Sequence, residues 1–435
     1  MNATKHGMAT RNFIIVTTDL ITCRLIAFTY LSCLKKTAGG GYGMRAVKAV
    51  QQKFTPNPDI LQMLDQFRLM LNDCVRIGVD ENVTGLRSLS AKAYNQLANY
   101  DTMSYYKLCA ISRATGILRN YRKTRRTNLE ARQPYVRRPQ LTTCYGFKIR
   151  AKQGVLQLPF KPKEPLRIPL NAHVLHALSE PGIQIRSVTL SDEKLSVTYA
   201  KDVKPIQPRG LIALDRNLDN LTAVDSDGQI RQESFAKSTE VRAMYREVRS
   251  HVVRNDTRIR RGVASKYGRI ESQKVKQILH HASKQIVLVA KRKQFGIAME
   301  KLTGIRKVYR RGNGHGRSYR GMMNGWSYYE LQRQIEYKAR WEGIPVIYVN
   351  PYGTSVKCST CGSRMTRIPE ENRQLKCPNC GFHVDRDINA AKNILARALR
   401  FGAIASATEA MVQESQRRVI LKVDADELTK SAQSD

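Results

Sequence analysis

Four cysteines, Cys358, Cys361, Cys377 and Cys380, stand in the order C-x2-C, fifteen intervening residues, C-x2-C. No other feature restricts the fold of this chain so tightly. Each close pair spans one edge of a tetrahedron, and the stretch between them must return as a hairpin. That is the spacing of a four-thiolate zinc ribbon. Gly362 and Gly381 follow the pairs directly, where a knuckle turn needs backbone angles that other residues resist. Four thiolates leave no open coordination position, so the one Zn2+ expected here is structural. A ribbon alone says little about function, because unrelated proteins carry one.

With 435 residues the chain is long enough for two or three domains. Its formal net charge of +38 would repel itself in a compact fold unless a polyanionic partner neutralised it. Nucleic acid is the natural candidate, ahead of an anionic membrane surface. The other five cysteines (Cys23, Cys33, Cys74, Cys109, Cys144) are scattered, which fits a reducing interior and not a disulfide framework. In "NFIIVTTDLITCRLIAFTYLSCLKK", Asp19 and Arg24 break the apolar run, and no cleavage site follows it, so neither a membrane span nor a leader is expected. A cytoplasmic, nucleoid-associated prokaryotic protein is the corresponding expectation. "GGGYGM" at 39–44 marks a boundary, leaving 1–43 as an N-terminal extension before Met44.

From Met44 the chain reads as a strand and a turn. Residues 59–140 follow as a helical lobe, with apolar spacings of three and four in "ILQMLDQFRLMLNDCV". Residues 141–205 change to short alternating strands. Segments 44–58 and 141–205 together predict a split β-barrel that carries the helical lobe. "PIQPRG" reads as a linker. Three consecutive strands then run from "LIAL" through an Asp-Gly turn, a long basic helical stretch spans 237–292, and the strand "FGIAME" ends at Glu300. Residues 305–325, rich in glycine and arginine, predict a mobile loop. A helix over "WSYYELQRQIEYKARWEG", closed by Gly343, and the strand "IPVIYVN" follow. Trp326 and Tyr337 are expected as core residues of that helix. After the ribbon, "INAAKNILARAL" predicts a helix with Ala391, Ile394, Leu395, Ala398 and Leu399 on one face.

Asp215 ends one apolar strand, Glu300 ends another, and Asp387 opens the last helix. Three acids meeting at a sheet rim repel one another unless cations separate them. Two Mg2+ ions roughly 4 Å apart would do so, and would suit in-line phosphodiester hydrolysis; hard oxygen ligands favour magnesium over zinc. Each acid has a plainer reading as a solvated strand end. Asp385 competes with Asp387, either could cap the helix, and Asp219 and Asp225 are similar competitors.

The stretches "IALDRNLDNLTAVDSDG", "FGIAMEKLTGIR", "NPYGTSVKCSTCG" and "CPNCGFHVDRDINAAKNIL", in this order, resemble the TnpB family of insertion-sequence RNA-guided endonucleases, related to compact type V CRISPR effectors. The resemblance runs from about Met44 to residue 400 and is thin over the first 150 residues. It implies a multidomain α/β and β architecture with a WED-like barrel (44–58, 141–205) and a REC-like helical lobe (59–140). It also implies an RNase H-like RuvC nuclease (206–357, 381–403), a zinc ribbon (358–380) and a C-terminal tail (404–435). It assigns catalysis and Mg2+ binding to Asp215, Glu300 and Asp387, leaving Asp385 as a neighbour. The implied function is RNA-guided cleavage of target DNA by a transposon-associated enzyme, with guide RNA and DNA as partners. The alternatives are a compact type V effector and a nuclease-inactive RNA-guided regulator. Where the family often has glycine, two residues past the first aspartate, this chain has Asn217, tolerated if the turn is left-handed.

Two basic clusters are expected to carry nucleic acid. The first holds Arg119, Arg122, Lys123, Arg125, Arg126, Arg132, Arg137 and Arg138. The second holds Arg254, Arg258, Arg260, Arg261 and Lys266. Tyr121, Tyr135 and Tyr267 are placed among them to stack on bases. Arg310, Arg311, Arg317 and Arg320 follow Glu300 and would hold a strand against the acids.

Overall fold

The computed structural model describes residues 44–161, 164–252, 256–310, 312–371 and 373–400. The expected N-terminal extension, the tail 404–435, Cys23, Cys33, Arg254 and Arg311 lie outside the described residues. Among the described residues no helix is long and apolar enough to cross a membrane. The chain divides into two compact units, one over 47–201 and the other over 202–400 with 44–46.

In the first unit, β1 (Met44–Lys53) leads into α1 (Pro58–Asp80). Asn57 accepts the Ile60 N–H at 2.9 Å and Pro58 takes the first turn, so this helix begins where its caps place it. Ile60, Met63, Leu64, Phe67, Met70, Leu71 and Cys74 form its buried stripe. The short α2 (Leu86–Ala93) follows, then α3 (Ser104–Arg125), which crosses α1 at Gly78. A Cβ there would run into the buried Leu118 side chain, so glycine lets the two helices approach this closely.

Strands β2 (Gln140–Thr143), β3 (Lys148–Arg150), β4 (Val155–Lys161) and β5 (Glu164–Pro169) come next. After them are α4 (Ala172–Leu178), β6 (Ile183–Ser191) and β7 (Lys194–Val203). They form two sheets, β1-β7-β6-β2 and β3-β4-β5. The helix α4 departs from the all-strand expectation for 141–205. It exists because Asn171 caps it, accepting the Val174 N–H at 2.9 Å.

The second unit is built on one sheet of order β10-β9-β8-β11-β12. β8 (Gly210–Arg216), β9 (Asn220–Asp225) and β10 (Ile230–Ser234) are antiparallel neighbours. Two helices, α5 (Ala236–Ser250) and α6 (Thr257–Lys293), lead to β11 (Phe295–Glu300), which lies parallel to β8. Beyond it, 305–325 holds a 3-10 turn and a helix, α7 (Arg317–Asn324), where a loop was expected. Then come α8 (Tyr328–Trp341), closed by Gly343 at φ 71°, and β12 (Val346–Val349), parallel to β11.

Both faces of this sheet are covered, as parallel strands demand. Ile212, Leu214, Ile297 and Met299 face α6 and α8 through Leu279, Ile286, Leu331 and Ile335. The alternate residues Leu211, Ala213 and Ala298 face the last helix, α9 (Arg386–Arg400), through Ile394 and Ala398. Each large apolar side chain so buried contributes about 1.5–3 kcal/mol. Leu399, expected on the apolar face of α9, is instead 43% exposed. A small three-stranded sheet, β13 (Thr366–Arg367), β14 (Gln374–Lys376) and β15 (His383–Asp385), precedes α9.

Candidate active site and metal centre

Cys358 and Cys380 sulfurs lie 3.7 Å apart and those of Cys361 and Cys377 3.4 Å apart. All four ligand atoms are within 4.8 Å of one another. Zinc–sulfur bonds of about 2.3 Å in a tetrahedron put sulfurs roughly 3.8 Å apart, so the residues fit a structural zinc. The knuckle glycines take φ of 80° at Gly362 and 71° at Gly381. Met365 and Leu375 pack with Cys358 and Cys377 beneath the site.

The registers of the central sheet bring two of the acids to one edge. β11 runs parallel to β8 with Met299 opposite Leu214, so the next residues, Glu300 and Asp215, end neighbouring strands. Asp387 reaches the same place from the first turn of α9, which packs over β8, β9 and β11. Asp215, Glu300 and Asp387 are 7%, 8% and 2% exposed. Burial, then the charges of Glu300 and Asp387, push the Asp215 carboxyl up to about 7. Burial also raises Glu300, against the Thr354 hydrogen bond and the charges of Arg216 and Arg397. Among the described residues the cysteines are the one group with all ligand atoms within 4.8 Å; the acids are set more widely.

Supporting contacts fix each acid. Asn217 donates to Asp215 Oδ2 at 3.0 Å, and its φ is not positive, so its place here comes from that hydrogen bond and not from a left-handed turn. Thr354 Oγ1 donates to Glu300 Oε1 at 2.5 Å. Buried Arg216 donates to the Glu300 carbonyl at 2.5 Å and to Gln332 at 2.9 Å. Asp387 is paired with Arg373 and, at 3.4 Å, with Arg386. Asp385 accepts the N–H groups of Asp387 at 2.8 Å and Ile388 at 3.2 Å, so it caps α9. Asp225 pairs with Ile212 across the ladder, at the opposite end of β8, where Lys293 binds it at 2.6 Å; Asp219 is exposed.

Thr354, Arg373 and Asn389 were not singled out by sequence. "NPYGTSVKC" carried a signal for Thr354, since it joins β12 to the first knuckle. Arg373 sits in an ordinary hairpin with no such mark. Trp326 lies between α7 and α8, not on a helix, and its indole donates to the Asn217 carbonyl at 2.7 Å.

The basic residues are placed unit by unit. Arg122, Lys123, Arg125, Arg126, Arg132, Arg137 and Arg138 are exposed, while Arg119 is half-buried and donates to Thr84 O at 3.2 Å. Tyr135 is 63% exposed, whereas Tyr121 is half-buried. In the second unit Arg258, Arg260, Arg261 and Lys266 are exposed along the start of α6. Tyr267 is half-buried beside Tyr245, ring centroids 6.0 Å apart. Arg310 and Arg317 are exposed; Arg320 is half-buried and donates to His315 O.

A doubly covered sheet with an acid-lined edge, followed by a cysteine ribbon and a last helix that returns to that edge, defines the class. Comparison with known proteins narrows it. The family described as Cas12f1-like, TNB domain, matches residues 328–394. A TnpB-like protein of Methanocaldococcus jannaschii is 29% identical over 242 residues, covering 54% of this chain and 85% of that protein. A CRISPR-associated endodeoxyribonuclease, Cas12f1 of Sulfoacidibacillus thermotolerans, is 39% identical over 120 residues, covering 26% of this chain and 25% of its own length. The solved Cas12f1 in complex with sgRNA and target DNA aligns with a TM-score of 0.53 at 16% identity, covering 77% of this chain and 82% of that one. The chain is thus similar to TnpB-like proteins and to Cas12f1 endodeoxyribonucleases.

Proposed function

We propose that this protein is a transposon-associated, RNA-guided DNA endonuclease with guide RNA and target DNA as its partners. The 206–357 and 381–403 segments form its RuvC-like nuclease, with an RNase H-like sheet. A strand order with three antiparallel strands and two parallel ones added beside the first supports that reading. The WED-like barrel (44–58, 141–205) and the REC-like lobe (59–140) would bind the guide, and the exposed arginines would meet its phosphates. Base pairing would then read the sequence of the target.

The observation that carries the proposal is the meeting of Asp215, Glu300 and Asp387 at one sheet edge, buried and mutually repelling. Such a set, with Asp215 held up to about 7 by burial and its neighbours, fits hard divalent cations such as Mg2+. When bound, the ions supply an activated water and charge for the leaving oxygen. Asp215 would face them with one oxygen held by Asn217, and Glu300 with one held by Thr354. Buried Arg216 keeps the end of β11 in place behind them.

The test is cleavage of a plasmid matching the guide segment of the RNA that co-purifies with the chain. Asp215→Ala should abolish cutting in Mg2+ and leave target binding intact. Undiminished cutting by that variant would refute the assignment.

A further inference from the structure

We infer that Arg373 is a built-in counter-cation for Asp387 that sets how tightly the acidic site takes divalent metal. The inference rests on the reading of Asp215, Glu300 and Asp387 as the metal-holding acids.

Arg373 stands just before β14, in the hairpin between the two cysteine pairs. Its carbonyl accepts the Arg386 N–H at 2.8 Å, so its backbone is tied to the start of α9. Its φ of 76° lies in the left-handed region, which a residue with a side chain occupies only when its surroundings hold it there. From this position its guanidinium is paired directly with Asp387 Oδ2. Asp387 is almost wholly buried, and an unpaired charge there would be costly. Arg386 reaches only the other oxygen, at 3.4 Å.

The guanidinium therefore occupies one of the two carboxylate oxygens that Asp387 could offer a metal ion. Arg373 keeps 34% of its side chain exposed, so it has a solvent path along which to withdraw. A divalent ion entering the site must displace it or bind beside its charge. A unit charge about 6 Å from a divalent ion in a water-like dielectric weakens binding about tenfold. The ribbon thus acts on the acidic site through one side chain as well as through the placement of α9.

The experiment is a Mn2+ titration of the full zinc-loaded chain, followed by electron paramagnetic resonance without target DNA. The sites that count are those lost in Asp215→Ala, which removes background from bound RNA. Arg373→Gly is the informative variant, because glycine adopts the same φ without strain. It should tighten Mn2+ binding about tenfold, while Arg373→Lys stays near wild type. Unchanged or weaker binding in Arg373→Gly would overturn the inference and leave the arginine a mere brace. If wild type and Asp215→Ala bind Mn2+ alike, the acidic metal site itself falls, and the inference with it.

Discussion

Asn389, two residues beyond Asp387 on α9, accepts the Ser359 N–H of the first cysteine knuckle at 3.0 Å. Its amide also donates to Lys357 O at 2.8 Å, and the residue is fully buried. The geometry of the cysteine knuckle is thereby passed to the turn that carries Asp387. Asn389→Ala takes the partner of the Ser359 N–H, while Lys357 O keeps the Asn393 amide at 2.7 Å, so the cost is about 1 kcal/mol. Thermal unfolding should show that loss, and cleavage should drop with zinc content unchanged. Stripping zinc with a chelator while supplying Mg2+ should likewise abolish cleavage; full activity without zinc would break the link.

Glu300 depends on Thr354 in the same way. Thr354→Val keeps the shape of the side chain and removes the hydroxyl that donates to Oε1. Losing a charge-assisted hydrogen bond should slow cleavage by about ten- to a hundredfold. Single-turnover rates on a guide-matched plasmid provide the measurement, with target binding unchanged as the control.

Asp215 gives a pH dependence whose sign is fixed. Its folded-state value, about 7, stands above the unfolded value of roughly 3.9. The folded protein therefore binds the extra proton, and the associated stability is full below about pH 4 and lost as pH rises through about 7. Metal-free protein should melt progressively lower between pH 5.5 and 8. Mg2+ should recover most of the loss at pH 8, and Asp215→Asn should flatten the slope in calorimetry.

The strands that carry Asp215 and Glu300 were legible because "LIAL" and "FGIAME" are unbroken apolar runs, the mark of strands covered on both faces. Choosing Asp387 over Asp385 was not a matter of spacing, since both open the same helix. The fold separates them by making one the cap and burying the other. Asn217 shows the reverse case. A backbone explanation was expected, but the side chain holds Asp215, a tertiary contact that no local pattern encodes. Helix α4 was missed because seven residues hold too few turns for a period to show, although Asn171 marked its start.

In the helical lobe, Gly78→Ala would force a Cβ against Leu118. Overpacking of this kind costs about 1–3 kcal/mol. The effect should be confined to the lobe: amide exchange should rise along α1 and α3, while Mn2+ affinity at the acids stays the same. A change confined to the second unit would contradict that assignment.

The end of α3 supplies the last prediction. Arg122, Lys123, Arg125 and Arg126 are exposed and crowd a helix terminus whose carbonyls favour cations. Helix stability alone does not need four of them, and they extend from the surface as phosphate ligands would. Replacing all four with alanine should weaken binding of the co-purifying RNA, more so at low salt. Each lost phosphate contact lowers the slope of log affinity against log salt by about 0.7 on a single strand. A filter-binding series in KCl should thus show a slope reduced by about 2 to 3. An unchanged slope would mean that the cluster is only solvated, and that the guide RNA lies elsewhere on the protein.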